Sequence, residues 1–366
     1  MMRTIKSEQD IHDMARGAVL LGTGGGGDPY VGGLFVCEQI RKGRHPRLCS
    51  LDELADDAFV LSIAGIGSPT VIVEQLISEQ TLARLLGRAE SFFGCRIDAL
   101  ISAEIGGANS VFPLALSAIS GIPVVDADGV GRAVPQLEMT TFSIYGIRAT
   151  PGILMDDIGN VVTVDAASDR KAEDLCRAIT TAMGSLSFSA IYPMTGAQAK
   201  QAAVRDTLDL SLQIGRVIRN ARDGSSDVFA ALLGYLNALP GREAYELFDG
   251  KIIDVAHETR GGWHWGVVTM QSPHSPDDIF TVQFRNEFIA ARRNGKLVTM
   301  VPDLITILDR ESAEPLTGEM LSYGQRVKVI GLSADPMLVR PESLEVLGPR
   351  AFGMDCDYIP VGRCMV

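Results

Sequence analysis

The segment Asp126-Ala127-Asp128-Gly129-Val130-Gly131-Arg132 sets two carboxylates one residue apart and follows them with glycines and an arginine. Such a pair can hold a divalent metal, which lowers the pKa of bound water and polarises the carbon under attack. Alternation along an extended chain points Asp126 and Asp128 the same way, whereas a tight turn lets them diverge. The same residues also fit an aspartate-rich turn capped by its own side chains. A helix-loop-helix calcium site is not indicated, because the acidic ligands due later in such a loop are missing. Glu104, leading the turn Gly106-Gly107-Ala108-Asn109, is expected near both aspartates; alone, it also reads as a helix-start acid. With Asp28 and Glu138 it would complete a carboxylate-rich pocket. Oxygen ligands favour magnesium, manganese or calcium over zinc, so a divalent metal on Asp126 and Asp128 is the expected cofactor.

The second feature is the run from Leu20 to Gly33, seven of whose fourteen residues are glycine. Glycine lets a ligand or another segment approach the main chain closely. Bare amides ahead of a helix start can bind an anion. Gly24, Gly25, Gly26, Gly27 and Asp28 are therefore substrate-binding candidates, with Arg132 and the amides of the run holding a carboxylate or developing negative charge. The spacing fits neither standard phosphate motif. Asp28-Pro29 follows where the Walker pattern needs Lys-Ser/Thr, and a helical rather than a strand pattern precedes the glycines. A tight helix-to-helix connection packed under another loop remains the alternative.

His257 and His264 flank Glu258-Thr259-Arg260-Gly261-Gly262-Trp263 and read either as facing side chains on a hairpin or as surface histidines on a turn. Thr195 reads as the cap of a long helix, with Lys200 in reach of an anion. No Gly-x-Ser-x-Gly elbow supports a serine hydrolase.

These residues need strand ends and loops to position them. After a helix ahead of the glycines and another at 31–41, strand-like and helix-like segments alternate, the mark of an α/β domain. Strands are expected at 58–64, 98–103 and 122–126, and helices at 74–91 and 110–120. The loops after the strands, 65–69, 104–109 and 126–132, would converge where open α/β sheets bind ligands. Helices are expected at 168–183 and 198–220. From about residue 248 the segments turn short and β-rich, at 251–255, 265–270, 279–284, 297–301, 304–309 and 326–330. The fold expected is an α/β domain with a mostly parallel sheet over 1–165, then an α+β domain over 166–366, helical at first and then rich in short strands.

The 366 residues carry a net charge of −12, from 33 Lys and Arg against 45 Asp and Glu, with no basic cluster to track a phosphate backbone. A small-molecule substrate is expected rather than nucleic acid or an anionic membrane. No apolar run is long enough to span a bilayer and no export signal opens the chain, so a cytoplasmic location is expected. The six cysteines lack CxxC spacing, which points to neither a zinc knuckle nor a disulfide framework. A homo-oligomer is the default expectation.

The motifs LGTGGGGDPYVGG and PVVDADGVGRAVPQLEMTTF, with FRNEF (284–288), PDLI (302–305) and GPRAFG (348–353), resemble the S-methyl-thiohydantoin desulfurase family over nearly the whole chain. The resemblance implies an N-terminal α/β domain and a C-terminal domain with much β structure. It also implies an association with hydantoinase and oxoprolinase systems and, as namesake activity, hydrolysis of a sulfur-substituted hydantoin with release of a thiol. The matching positions are Gly24 to Asp28, Asp126, Asp128, Arg132 and Glu138. On this basis the expected function is a metal-assisted hydrolase of small cyclic amides or thioimidates of the hydantoin type, with Asp126, Asp128, Glu104 and Arg132 catalytic. The alternative is an accessory subunit that binds a small anion and assembles with a hydantoinase- or oxoprolinase-like protein.

Overall fold

A computed structural model describes residues 2–67, 78–260 and 263–364, without the side chains of 259, 260, 263 and 264. Two sheets organise it. The first has strands β1 (Arg3–Thr4), β2 (Arg47–Cys49), β3 (Phe59–Gly67), β4 (Ala99–Ser102), β5 (Val124–Asp128), β6 (Gly152–Met155), β7 (Val161–Val164), β8 (Leu186–Thr195) and β9 (Val204–Arg205). Its order is β1-β2-β5-β4-β3-β8-β6-β7, with β9 on β5. The centre, β2-β5-β4-β3, is parallel, and antiparallel strands flank it. The continuous apolar runs of β3 and β4 suit strands covered on both faces.

On one face pack α1 (Glu8–Leu21), α2 (Tyr30–Arg41), α3 (Glu79–Phe93), α4 (Phe112–Ser120) and two helices from farther along the chain. Side-chain alternation sends Leu61, Ile63, Leu100 and Val124 to that core, and Val60, Ile101, Val125 and Ala127 to the core opposite. The second face is covered by residues such as Phe142 and Ala199. The expected boundary at 165/166 falls between β7 and α5 (Asp169–Ala182), and the first sheet crosses it by taking β8 from beyond.

The helix expected at 198–220 is two: α6 (Gly196–Ala202) and α7 (Thr207–Asp223), separated by β9. Asp206, in the left-handed region at φ 58°, makes the turn between them. Thr195 caps α6 as expected, in a reciprocal capping box with Gln198. The expected strand at 122–126 runs over Val124–Asp128, which places Asp126 inside the strand and Asp128 at its end. Part of the helix expected at 74–91, and of the loop at 65–69, lies outside the described residues.

After α8 (Val228–Ala238) comes the second sheet, antiparallel throughout: β10 (Ala244–Arg260), β11 (Trp263–Gln271), β12 (Ile279–Arg285), β13 (Glu287–Arg293), β14 (Lys296–Met300), β15 (Leu304–Asp309), β16 (Pro315–Leu316) and β17 (Arg326–Leu332). Alternation along β12 buries Phe280, Val282 and Phe284 while Thr281 and Gln283 stay half-buried, as one covered face requires. The strand expected at 251–255 is the middle of the much longer β10. His257 lies opposite Gly266 and His264 opposite Thr259, so the two histidines are not cross-strand partners. Among the described residues no helix is long and apolar enough to cross a membrane.

Candidate functional site

A cavity of about 120 Å³ opens where the end of β3 and the loop after β4 meet the second sheet. The first sheet and the elements packed on it supply most of its wall: Gly26, the 64–67 strand end, Glu104, Asn109, the 134–137 loop and, from α5 beyond the 165/166 boundary, Glu173 and Arg177. The second sheet supplies Asn286 and Glu287. These two sit in FRNEF, where β12 reverses into β13 with Arg285 opposite Glu287 and Phe284 opposite Phe288. Asn286 turns the corner at φ 59°, a conformation asparagine tolerates better than most residues.

That corner explains the glycine run. Phe288 N donates to Thr23 O at 2.7 Å, and Gly318 N donates to Gly24 O at 2.7 Å. A Cβ on Gly24 would lie 2.5 Å from the Phe288 ring, and one on Gly25 would lie 2.3 Å from Glu287 Oε1. Gly26 presses on the β4 loop: a Cβ there would come within 2.4 Å of Gly106 O, and Ala108 N donates to Gly26 O at 2.9 Å. The run is therefore a close-packed connection, the alternative reading above, and Gly26 is its member on the cavity wall. Asp28 accepts from Tyr30 N at 2.8 Å and opens α2.

Glu104 takes its place through Ser102 and Asn109. Asn109 Nδ2 donates to Glu104 Oε1 at 2.8 Å, Val134 N donates to Oε2 at 3.0 Å, and Gly65 N donates to Asn109 Oδ1 at 2.7 Å. Asn109 thus ties the ends of β3 and β4 together. Burial pushes the Glu104 carboxyl up to about 7 against these donors. Glu287, which is 3 % exposed, is pushed up to about 8 by burial and then by the Glu104 charge. Its Oε2 has no hydrogen-bond partner among the described residues. Glu173 is paired with Arg177 and accepts from Leu137 N at 3.2 Å, which holds the 134–137 loop.

The two aspartates do other work. Asp126 Oδ1 accepts from Leu208 N at 2.9 Å and Asp209 N at 3.1 Å, the first-turn amides of α7, where a carboxylate complements the helix dipole. Asp128 accepts from Ile105 N at 2.7 Å, Val130 N at 3.1 Å and Gly131 N at 2.8 Å. Burial raises both carboxyls, to about 6 and about 7, against these amides. Their oxygens serve separate backbone segments, so the expected two-aspartate metal site does not fit this geometry. Neither residue is on the cavity wall.

Arg132, also expected at the site, is 1 % exposed and donates to Ala133 O, Pro302 O and Asp303 O at 3.0, 2.6 and 3.2 Å. It pins the Asp-rich loop to PDLI, and its charge counters those of Glu287, Asp303 and Glu104 while burial lowers its own pKa to about 10. Glu138 lies off the cavity with Oε2 buried, 3.9 Å from Arg170 through its other oxygen. Of the expected site residues, the structure brings Glu104 and Gly26 together on one wall with Asn109 of the expected 104–109 loop, and adds Glu287, Glu173 and Arg177, which sequence reasoning missed. The glycine run was the available signal for Glu287: bare backbone needs something lying against it.

The family models for the S-Me-THD-like N-terminal and C-terminal domains match residues 9–166 and 167–361. A crystal structure of a protein from Chromobacterium violaceum is similar at 25 % identity and a TM-score of 0.81, over 99 % of this chain and 100 % of that one. Among curated proteins, none matches. With FRNEF and PDLI built into the contact between two matched domains, this chain belongs to the S-Me-THD-like family.

Proposed function

We propose that the cavity between the domains is a hydrolytic active site for a small hydantoin-type ring, a cyclic amide or sulfur-substituted thioimidate, with Glu104 as the base that activates water. The observation that carries this reading is Glu104 itself. Glu104 lines the cavity just past the end of a parallel strand, its carboxyl held by Asn109 and the Val134 amide and its pKa moved to about 7. A general base works best with a pKa near the working pH. Strand ends of this kind are where α/β sheets gather their ligands. Membership of a family named for thiohydantoin desulfurization supports the substrate class.

Metal assistance through Asp126 and Asp128 is left out of this mechanism, because neither lines the cavity and each carboxylate binds a separate backbone segment. The test is release of thiol from an S-methyl-thiohydantoin, followed with a thiol-reactive dye across pH 5 to 9. The expected result is turnover that rises through about pH 7 and falls by 10²- to 10⁴-fold in Glu104→Gln, the usual contribution of one acid–base group. Full activity in that variant would remove Glu104 from the mechanism. Inactive wild type that copurifies with a hydantoinase-like protein would favour the accessory-subunit reading.

A further inference from the structure

We propose that Glu287 is the proton donor of this site, and that Gly25 is bare so that its side chain can lie there. The proposal rests on the hydrolytic reading above and deepens it by naming the second half of the acid–base pair. Glu287 begins β13 immediately after the Asn286 corner and reaches the cavity wall that Glu104 also lines. Its aliphatic stem and one oxygen cross the glycine run, with Cγ and Cδ each 2.7 Å from where a Gly25 Cβ would stand. Any side chain at position 25 would therefore push the carboxyl off this path.

The other oxygen, Oε2, is buried without a hydrogen-bond partner among the described residues. An ionised carboxylate in that state carries a large desolvation cost, whereas a neutral acid carries a small one and keeps an O–H to give. Burial and the neighbouring Glu104 charge favour the protonated form, while Arg132 limits how tightly the proton is held. Two raised carboxyls lining one cavity form the kind of pair in which one serves as the base and the other as the acid.

The step balances without an added reagent. Water oxygen bonds to the ring carbon between the two nitrogens, one water proton passes to Glu104, and the C=N pair moves onto the ring nitrogen, which then takes that proton from Glu104. The C–S bond breaks with its electron pair going to sulfur, which takes the Glu287 proton and leaves as thiol. The remaining hydroxyl becomes the ring carbonyl and its proton restores Glu287. The products are a thiol and a hydantoin.

Two measurements on the full chain test this. The first compares Glu287→Gln with wild type on two S-substituted thiohydantoins, one releasing methanethiol and one releasing an acidic nitrothiophenol. A proton donor predicts a loss of at least about 10²-fold on the S-methyl substrate and under about tenfold on the S-aryl one, whose leaving group needs no proton. Equal losses on both, or wild-type rates on the S-methyl substrate, overturn the proposal. The second needs no turnover: infrared difference spectra between pH 6 and 9 read the C=O stretch of a protonated buried carboxyl. A band that titrates above pH 7, vanishes in Glu287→Gln and shifts in Gly25→Ala supports the proposal, and its absence from wild type at pH 6 overturns it. If wild type turns over neither substrate but the band behaves as described, the hydrolytic reading fails while Glu287 stands as a buried acid seated on Gly25.

Discussion

Replacing Asp128 separates a backbone clamp from a metal ligand. Its carboxylate accepts from three amides, Ile105, Val130 and Gly131, within 3.1 Å, and the side chain is fully buried. Asp128→Ala leaves those three donors without their acceptor, and each buried orphan costs about 1–3 kcal/mol. Against this, removal returns part of the cost of burying a carboxyl that has been pushed up to about 7. The balance is a destabilisation of roughly 3–5 kcal/mol, a large share of the roughly 5–15 kcal/mol typical of a folded domain. Asp128→Asn keeps one acceptor oxygen but places an N–H₂ toward Gly131 N, so about half that loss is expected. Urea unfolding followed by circular dichroism measures both, through the midpoint at unchanged slope. A wild-type midpoint for Asp128→Ala would refute the clamp. If that variant also lost activity together with a bound metal, the two-aspartate metal site would return.

Glu287 and Glu104 make stability pH-dependent in a fixed direction. Both carboxyls are raised in the folded chain from an ordinary 4.5, to about 8 and about 7. The folded state therefore holds protons that the unfolded chain has released, and stability should fall as pH rises from about 4.5 through about 8. For Glu287 the ceiling is roughly 5 kcal/mol, and Glu287→Gln should flatten that part of the curve in urea melts at pH 5 to 9; an unchanged slope contradicts the assignment. Gly25→Ala meets a movable side chain, whereas Gly26→Ala meets the Gly106 carbonyl from φ 76°. Gly26→Ala should accordingly lower the thermal midpoint much more, while Gly25→Ala should mainly lower thiol release. Asn109→Leu removes the donor to Glu104 Oε1, so the rise in activity near pH 7 should move to higher pH in a rate profile.

The strand ends were legible because apolar runs bounded by glycine-rich loops read directly as covered parallel strands, and the end of β3 and the loop after β4 do line the cavity. Glu104 followed from its place at such an end. The work of Asp126 and Asp128 was not legible. Whether a strand-end carboxylate meets a ligand or an amide is decided by which segment folds against it, and the amides on Asp126 belong to Leu208 and Asp209. Those amides were hidden inside what reads as one helix until Asp206 breaks it. Glu287 was missed for a related reason: alternation along β12 and β13 shows which face is buried, but not that their corner reaches the glycine run of the other domain. FRNEF and PDLI stand out in the sequence as motifs, and the structure gives each a contact, Phe288 N with Thr23 O and Pro302 O with Arg132.

The most direct test of the central claim is a crystal structure of the Glu287→Gln protein soaked with an S-methyl-thiohydantoin. The account predicts the ring in the interdomain cavity, its C–S bond between Glu104 and position 287, with Asp126 and Asp128 still on their backbone amides. Ring density elsewhere, or a metal bridging Asp126 and Asp128 beside the substrate, would contradict it.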